Sequence, residues 1–266
     1  MNNTLLVSDP RYFRIAYEIN PYMHTTTQPD RSAAIVEHQA IVAAHLDAGR
    51  KVEYLASEPD CPDMVYTANA AVVRDDRAVL ANLPAQRQAE TPHHRAWLTS
   101  RGYQVLDAPY AFSGQGDALA CGDLLLAGYG QRTDERMLDV LADHLGYQVV
   151  PLRTAGPQWY DLDLALAVIH NPHTLAYCPE AFDEASRQNL HELGLDLIEV
   201  SLEEAGRFAL NLVSDGDTVT MTTGAPQLAG QLRARGLTVV ELDTTELRKG
   251  GGGIRCTALT LDNPPS

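Results

Sequence analysis

The sequence predicts an α/β fold in which one unit is repeated five times and closed radially. Three observations lead there. A short β-like run, a turn, an amphipathic helix, a glycine and a second β-like run recur along the chain, about 40–55 residues apart. Each glycine follows a helical pattern and sits where a helix C′ residue belongs. No linker, low-complexity tract or charge block interrupts the series, so residues 1–266 read as a single domain. A doubly wound sheet has the same strand–helix alternation, and periodicity alone does not separate the two.

The first copy ends in Gly49-Arg-Lys-Val-Glu-Tyr-Leu. The next four end in Gly102-Tyr-Gln-Val-Leu-Asp, Gly146-Tyr-Gln-Val-Val-Pro, Gly194-Leu-Asp-Leu-Ile-Glu and Gly236-Leu-Thr-Val-Val-Glu. Met137-Leu-Asp-Val-Leu-Ala-Asp-His-Leu145 shows the helical spacing ahead of such a glycine. The strands that open the later units are Asp123-Leu-Leu-Leu-Ala, Thr174-Leu-Ala-Tyr-Cys and Thr218-Val-Thr-Met-Thr. Asn263-Pro-Pro-Ser at the end reads as a frayed tail.

Composition narrows the function. The chain is 45% hydrophobic and 21% charged, as ordinary globular proteins are. A net charge of −15 speaks against nucleic acid and anionic membranes and favours cationic small molecules. No run approaches a membrane span, and no basic-plus-apolar leader opens the chain. Its four cysteines lack metal-ligand spacing, and its nine histidines form no HExxH pattern, so neither a metal nor a cofactor is expected. Reduced thiols and a cytoplasmic location follow from the same observations. Gly114-x-Gly116 lacks the third glycine of a dinucleotide site, and no Gly-Lys-Ser/Thr marks a phosphate loop.

Near the C-terminus stands Lys249-Gly-Gly-Gly-Gly-Ile-Arg-Cys256-Thr. Four successive glycines suit neither helix nor strand; they suit close backbone approach and positive φ. A cysteine leaving such a loop is placed by the backbone, and Lys249 and Arg255 beside it would favour a thiolate. The plainer interpretation is a small buried hydrophobe. Cys61, Cys121 and Cys178, in a turn or beside strands, read as structural.

The loop, Asp63-Met-Val-Tyr-Thr-Ala-Asn69, Gly128-Tyr-Gly-Gln-Arg-Thr-Asp134 and Tyr12-Phe-Arg-Ile-Ala-Tyr-Glu-Ile-Asn-Pro-Tyr-Met23 together resemble the guanidino-group-modifying superfamily, in order and over essentially the whole chain. That superfamily includes dimethylarginine dimethylaminohydrolases, arginine deiminases and amidinotransferases. The resemblance implies a five-bladed α/β propeller, the pentein fold, with the active site in the central channel. It also implies a monomer or homodimer. Cys256 matches the nucleophile that attacks a guanidinium carbon. Asp63 and Asp163 match the carboxylates that grip the guanidinium, and Arg132 matches an arginine suited to a substrate carboxylate. Asn69 and Asp117 lie in matching motifs and are expected to help hold substrate or loop.

Two positions depart from the family pattern. Tyr160-Asp161-Leu162-Asp163 stands where His-Leu-Asp is usual, so Asp161 replaces the acid/base histidine. Ser113-Gly-Gln-Gly-Asp117 stands where Glu-Gly-x-Gly-Asp is usual, so Ser113 replaces its glutamate partner. Histidine moves protons near neutrality because its pKa is about 6.5; an ordinary aspartate, near 3.9, needs burial or a neighbouring carboxylate to do so. Asp161, Asp163 and Asp63 converging would supply both.

The expected function is cysteine-dependent hydrolysis of a C–N bond in an arginine-like cation. An amidinotransferase and a non-catalytic binding protein for such ligands are the alternatives. His170 and His173 are placed in a hairpin turn on the surface, or as substitute bases if that turn folds inward. His24, Glu18 and Asn20 are placed near the channel mouth.

Overall fold

In a computed structural model, residues 2–170 and 172–263 are described. The Pro-Pro-Ser part of the predicted frayed tail, and Asn171 in the predicted histidine turn, lie outside them. The chain runs β1 (Thr4–Val7), α1 (Arg31–Asp47), β2 (Lys51–Tyr54), then β3 (Ala71–Arg74), β4 (Arg77–Leu80), α2 (Thr91–Ser100) and β5 (Gln104–Asp107). Next come β6 (Ala118–Cys121), β7 (Leu124–Tyr129), α3 (Met137–Leu145), β8 (Gln148–Arg153), β9 (Leu166–His170), β10 (Thr174–Tyr177), α4 (Glu184–Glu192) and β11 (Asp196–Glu199). The last part holds α5 (Leu202–Ala205), β12 (Val213–Ser214), β13 (Thr218–Thr222), α6 (Pro226–Ala234), β14 (Thr238–Leu242) and β15 (Leu259–Thr260).

These strands form five separate three-stranded sheets: β15-β1-β2, β3-β4-β5, β6-β7-β8, β9-β10-β11 and β12-β13-β14. That settles the architecture as the five-bladed propeller and excludes one continuous doubly wound sheet. In every blade the inner two strands are antiparallel and the outer two parallel. Parallel neighbours need a crossover, and α1, α2, α3, α4 and α6 supply one per blade. The ring closes where β15 pairs with β1, with Leu5 opposite Thr260 and Leu6 opposite Leu259.

Burial grades from axis to rim. The inner strands β3, β6, β12 and β15 are buried at every residue, and β9 at all but its last. The outer strands β2, β5, β8 and β11 include exposed residues, as one-sided strands do. On α3, Met137, Leu141 and Leu145 recur every four residues on the buried face. Asp30 starts α1 by accepting from the Ser32 and Ala33 amides, and Asp183 starts α4 by accepting from the Ser186 amide. The five glycines foreseen after the helices all have positive φ, between 66° and 88°. Among the described residues no helix is long and apolar enough to cross a membrane.

Candidate active site

Just ahead of each inner strand lies a buried turn, and these turns supply the polar side chains at the axis. Asp63 and Asn69 precede β3; Ser113 and Asp117 precede β6; Asp161 and Asp163 precede β9; Asn211 precedes β12; Cys256 precedes β15. All eight are at most 3% exposed, a polar density that burial permits only with partners. The fivefold repeat thus gathers positions scattered from Asp63 to Cys256 into one cluster.

Cys256 donates its Sγ hydrogen to Asp163 Oδ2 at 3.2 Å and accepts from Asn211 Nδ2 at 3.1 Å. Asn211 Oδ1 accepts from the Gly253 and Cys256 amides at 3.0 and 3.2 Å, so this one amide group fixes both loop and sulfur. Tyr66 and Tyr160 hold the loop from either side, donating to the Leu247 carbonyl at 2.6 Å and to the Gly251 carbonyl. The glycines are required by space: a Cβ on Gly252 would run into the Tyr66 ring, and one on Gly253 would lie 2.9 Å from Asn211 Oδ1.

The cationic neighbours foreseen for the thiol are engaged elsewhere, which corrects the sequence expectation. Lys249 pairs with Glu246 at 2.7 Å, and Arg255 turns to Gln115, Thr260 and the Ala258 carbonyl. Burial, then Asp163 and Asp161, push the Cys256 thiol well above its ordinary range.

Asp161 has both oxygens occupied. Ser113 Oγ donates to Oδ1 at 2.6 Å; Asn69 Nδ2 and Arg132 Nη1 donate to Oδ2 at 3.0 and 3.4 Å. Ser113 is thus a direct hydrogen-bond partner of Asp161. Gly116 makes room for the Asn69–Asp161 bond, since a Cβ there would lie 2.5 Å from Asn69 Nδ2 and 2.7 Å from Asp161 Oδ2. Asn69 is aimed by Arg87, which donates to its Oδ1 at 2.8 Å and is itself held by Glu90 through two bonds of 2.8 Å. Asp117, expected to help hold substrate or loop, spends both oxygens on the loop: it accepts from Thr133 Oγ1 at 2.6 Å and from the Leu162 amide at 2.8 Å.

Asp63 and Asp163 each keep one buried oxygen, Oδ1, with no protein partner. Burial pushes the Asp63 carboxyl up to about 6 against the opposing pull of Arg87. Burial and then Asp161 push Asp163 well above the usual carboxylate range. Two desolvated acceptors of this kind suit a cation with several N–H donors.

Over the cluster passes the N-terminal segment. Asn20 donates to the Gly250 carbonyl at 3.1 Å, and Glu18 accepts from Thr25. Glu18, Asn20, Arg132 and Tyr160 line a cleft of about 350 Å³. Arg132 lies 4.1 Å over the Tyr160 ring and also donates to the Ile19 carbonyl at 3.3 Å. His24 is exposed on this segment. His170 and His173 stack at 5.5 Å at the far end of β9 from Asp161 and Asp163, so the inward-folding alternative for that turn does not hold. No histidine among the described residues bonds to Cys256, Asp161 or Asp163. Cys61, Cys121 and Cys178 are buried away from these bonds.

Sequence reading missed Asn211, Arg87, Glu90, Tyr66 and Tyr160. Position within the repeat was the available signal for Asn211, which stands in the turn ahead of the fifth blade as Asn69 does ahead of the second. Nothing in the sequence marked the Arg87–Glu90 pair.

Comparison with known proteins places the chain in a family. The family profile described as N,N dimethylarginine dimethylhydrolase, eukaryotic, matches residues 9–261. An N(G),N(G)-dimethylarginine dimethylaminohydrolase of Mycobacterium tuberculosis is 39% identical over 96% of this chain and 84% of its own length. The bifunctional arginine dihydrolase/ornithine cyclodeaminase AgrE of a Nostoc species is 31% identical over 97% of this chain, which spans 38% of that longer protein. The crystal structure of the N-terminal domain of ArgZ, an arginine dihydrolase, bound to product, superposes with a TM-score of 0.93 at 29% identity, covering 98% of both chains. The chain belongs to the dimethylarginine dimethylhydrolase family and is a hydrolase acting on carbon–nitrogen bonds.

Proposed function

We propose that this family member hydrolyses a C–N bond of an arginine-like guanidino compound through a covalent intermediate on Cys256. The observation that carries the reading is the thiol held beside Asp163, with unpartnered oxygens on Asp163 and Asp63 in the same buried cluster. A guanidinium presents a flat set of N–H donors around an electrophilic carbon. Bound against the two carboxylates, its charge favours the thiolate, which adds to that carbon. The C–N bond then breaks, an amine leaves, and water releases the product from sulfur. Glu18 and Arg132 at the cleft are suited to the ammonium and carboxylate of an amino-acid end.

Incubation with arginine, methylarginines, agmatine and hydroxyarginine, followed by intact-protein mass spectrometry and amine assay, tests the reading. Amine release and a protein mass gain are expected, both lost in Cys256→Ser. Turnover that survives Cys256→Ser would remove it. A second reading, amidino transfer, is favoured by Asp161, whose oxygens are both taken by protein donors at the position of the usual acid/base. Water activation from that position is then weak, and a slowly hydrolysed intermediate survives to meet an amine. Product formation that depends on added ornithine or glycine would select it.

A further inference from the structure

We propose that Asp163, rather than Asp161, is the catalytic acid/base that takes the proton of Cys256 and delivers it to the departing nitrogen. The inference rests on the hydrolase reading and assigns to Asp163 a role beyond gripping the substrate. Asp161, the positional substitute for histidine, already accepts three hydrogen bonds from Ser113, Asn69 and Arg132. Protonating it would weaken them, because a neutral carboxylic acid is a poorer acceptor than a carboxylate. Asp163 is arranged differently: Oδ2 meets Sγ at 3.2 Å, while Oδ1 has no protein partner. One carboxylate therefore spans the nucleophile and the place where a guanidinium nitrogen would bind, which is the path the proton must travel.

The steps balance. The Sγ–H proton passes to Asp163, the C–S bond forms, and the carbon becomes tetrahedral. The proton then moves from Asp163 to one nitrogen as its C–N bond breaks, so a neutral amine leaves and a cationic amidino-thioether remains. Asp163 next takes a proton from water while the hydroxide adds to the carbon. The C–S bond breaks, sulfur recovers the proton, and the protonated product gives its surplus proton to the released amine.

The titratable groups facing this pair are Asp161, Asp117, Arg255, Tyr160 and Tyr66. Asn211 adds a hydrogen bond to the sulfur. None of them touches both the thiol and an unpartnered carboxylate oxygen, as Asp163 does.

The test is the rate of adduct formation in a single turnover at saturating guanidine, followed across pH in wild type, Asp163→Asn and Asp161→Asn. Asp163→Asn should slow adduct formation at pH 7 by about 10²–10⁴-fold. Its rate should then rise about tenfold per pH unit, because the thiol must lose its proton to solvent. Asp161→Asn should keep the shallower slope of wild type, displaced to lower pH because a charge that raises both Cys256 and Asp163 is gone. A role in binding alone would weaken affinity and leave the saturating pH profile unchanged, and that result overturns the proposal. So does a tenfold-per-unit profile appearing in Asp161→Asn instead. Absence of any wild-type adduct would count against the hydrolase reading. In that event, or if Asp163→Asn does not fold, infrared difference spectra of wild type and Cys256→Ala decide the pairing. Removing the thiol should shift the titration of a buried carboxyl band, and an unchanged band overturns the proposal.

Discussion

The glycines after the helices and the glycines before Cys256 are the same residue used for two different reasons. At Gly49, Gly102, Gly146, Gly194 and Gly236 an added Cβ would meet nothing within 4 Å, and the requirement is positive φ alone. At Gly250 and Gly252 the requirement is space: a Cβ would collide with the Tyr66 hydroxyl oxygen and with the Tyr66 ring, respectively. Rim glycines are specified locally, by the end of a helix, whereas the loop glycines are specified by side chains far away in sequence. A rim substitution should therefore cost stability and spare the chemistry, while a loop substitution should cost the chemistry itself.

Gly252→Ala gives the largest expected effect. It forces the Tyr66 ring or the Cys256 Cβ, 2.9 Å away, to move, and overpacking of this kind costs about 1–3 kcal/mol. Amine release should fall at least about 100-fold, because displacement near 1 Å is enough to misalign a nucleophile. An active Gly252→Ala would break the comparison. Asn211→Ala comes next. It leaves the Gly253 and Cys256 amides without their acceptor, at about 1–3 kcal/mol for buried groups, and activity should fall with stability. Combined melting and kinetic measurements check both.

Charge sharpens the same contrast. Partly exposed Asp134, in the turn ahead of α3, is lowered to about 2 by its bonds to Arg136, whereas burial raises Asp63 to about 6. A raised folded pKa means that the Asp63 contribution to stability is fully present below the unfolded value, about 3.9, and is lost as pH rises through about 6. The ligand-free protein should lose melting temperature across that window, and a bound guanidinium should offset the loss by favouring the ionised carboxylate. Guanidine affinity should accordingly rise with pH from about 4 to 7, measured by calorimetry. Equal affinity at both ends would remove Asp63 from the binding site.

Gly146→Ala is the smallest effect. Gly146 caps α3 at φ 70°, and a left-handed non-glycine residue costs about 1–2 kcal/mol. Melting temperature should drop, with turnover per folded molecule unchanged.

Much of the fold was legible because the repeat marks itself through local chemistry: a helical period, a glycine in left-handed backbone, then an apolar strand. Cys256, Asp63, Asp161, Asp163, Ser113, Asn69 and Arg132 were legible through their motifs, and all fall in or over the cluster at the axis. The contacts among them were not. Arg255 and Lys249 flank the thiol in sequence yet point to other partners, since a turn sends neighbouring side chains in different directions. Asp117 reads as a site residue and works as an anchor for the Leu162 amide.

By itself the sequence determined the five repeats, the left-handed glycines and the residue types gathered for the chemistry, because each follows from backbone preference or from short-range pattern. Only the tertiary structure decided that Asn211 holds the nucleophile, that both Asp161 oxygens meet protein donors and that Asp163 is left with a free oxygen. Those facts depend on which of five turns meet at one axis, and burial makes their partners decisive: a polar atom out of water must be matched by whatever the closed ring brings within reach.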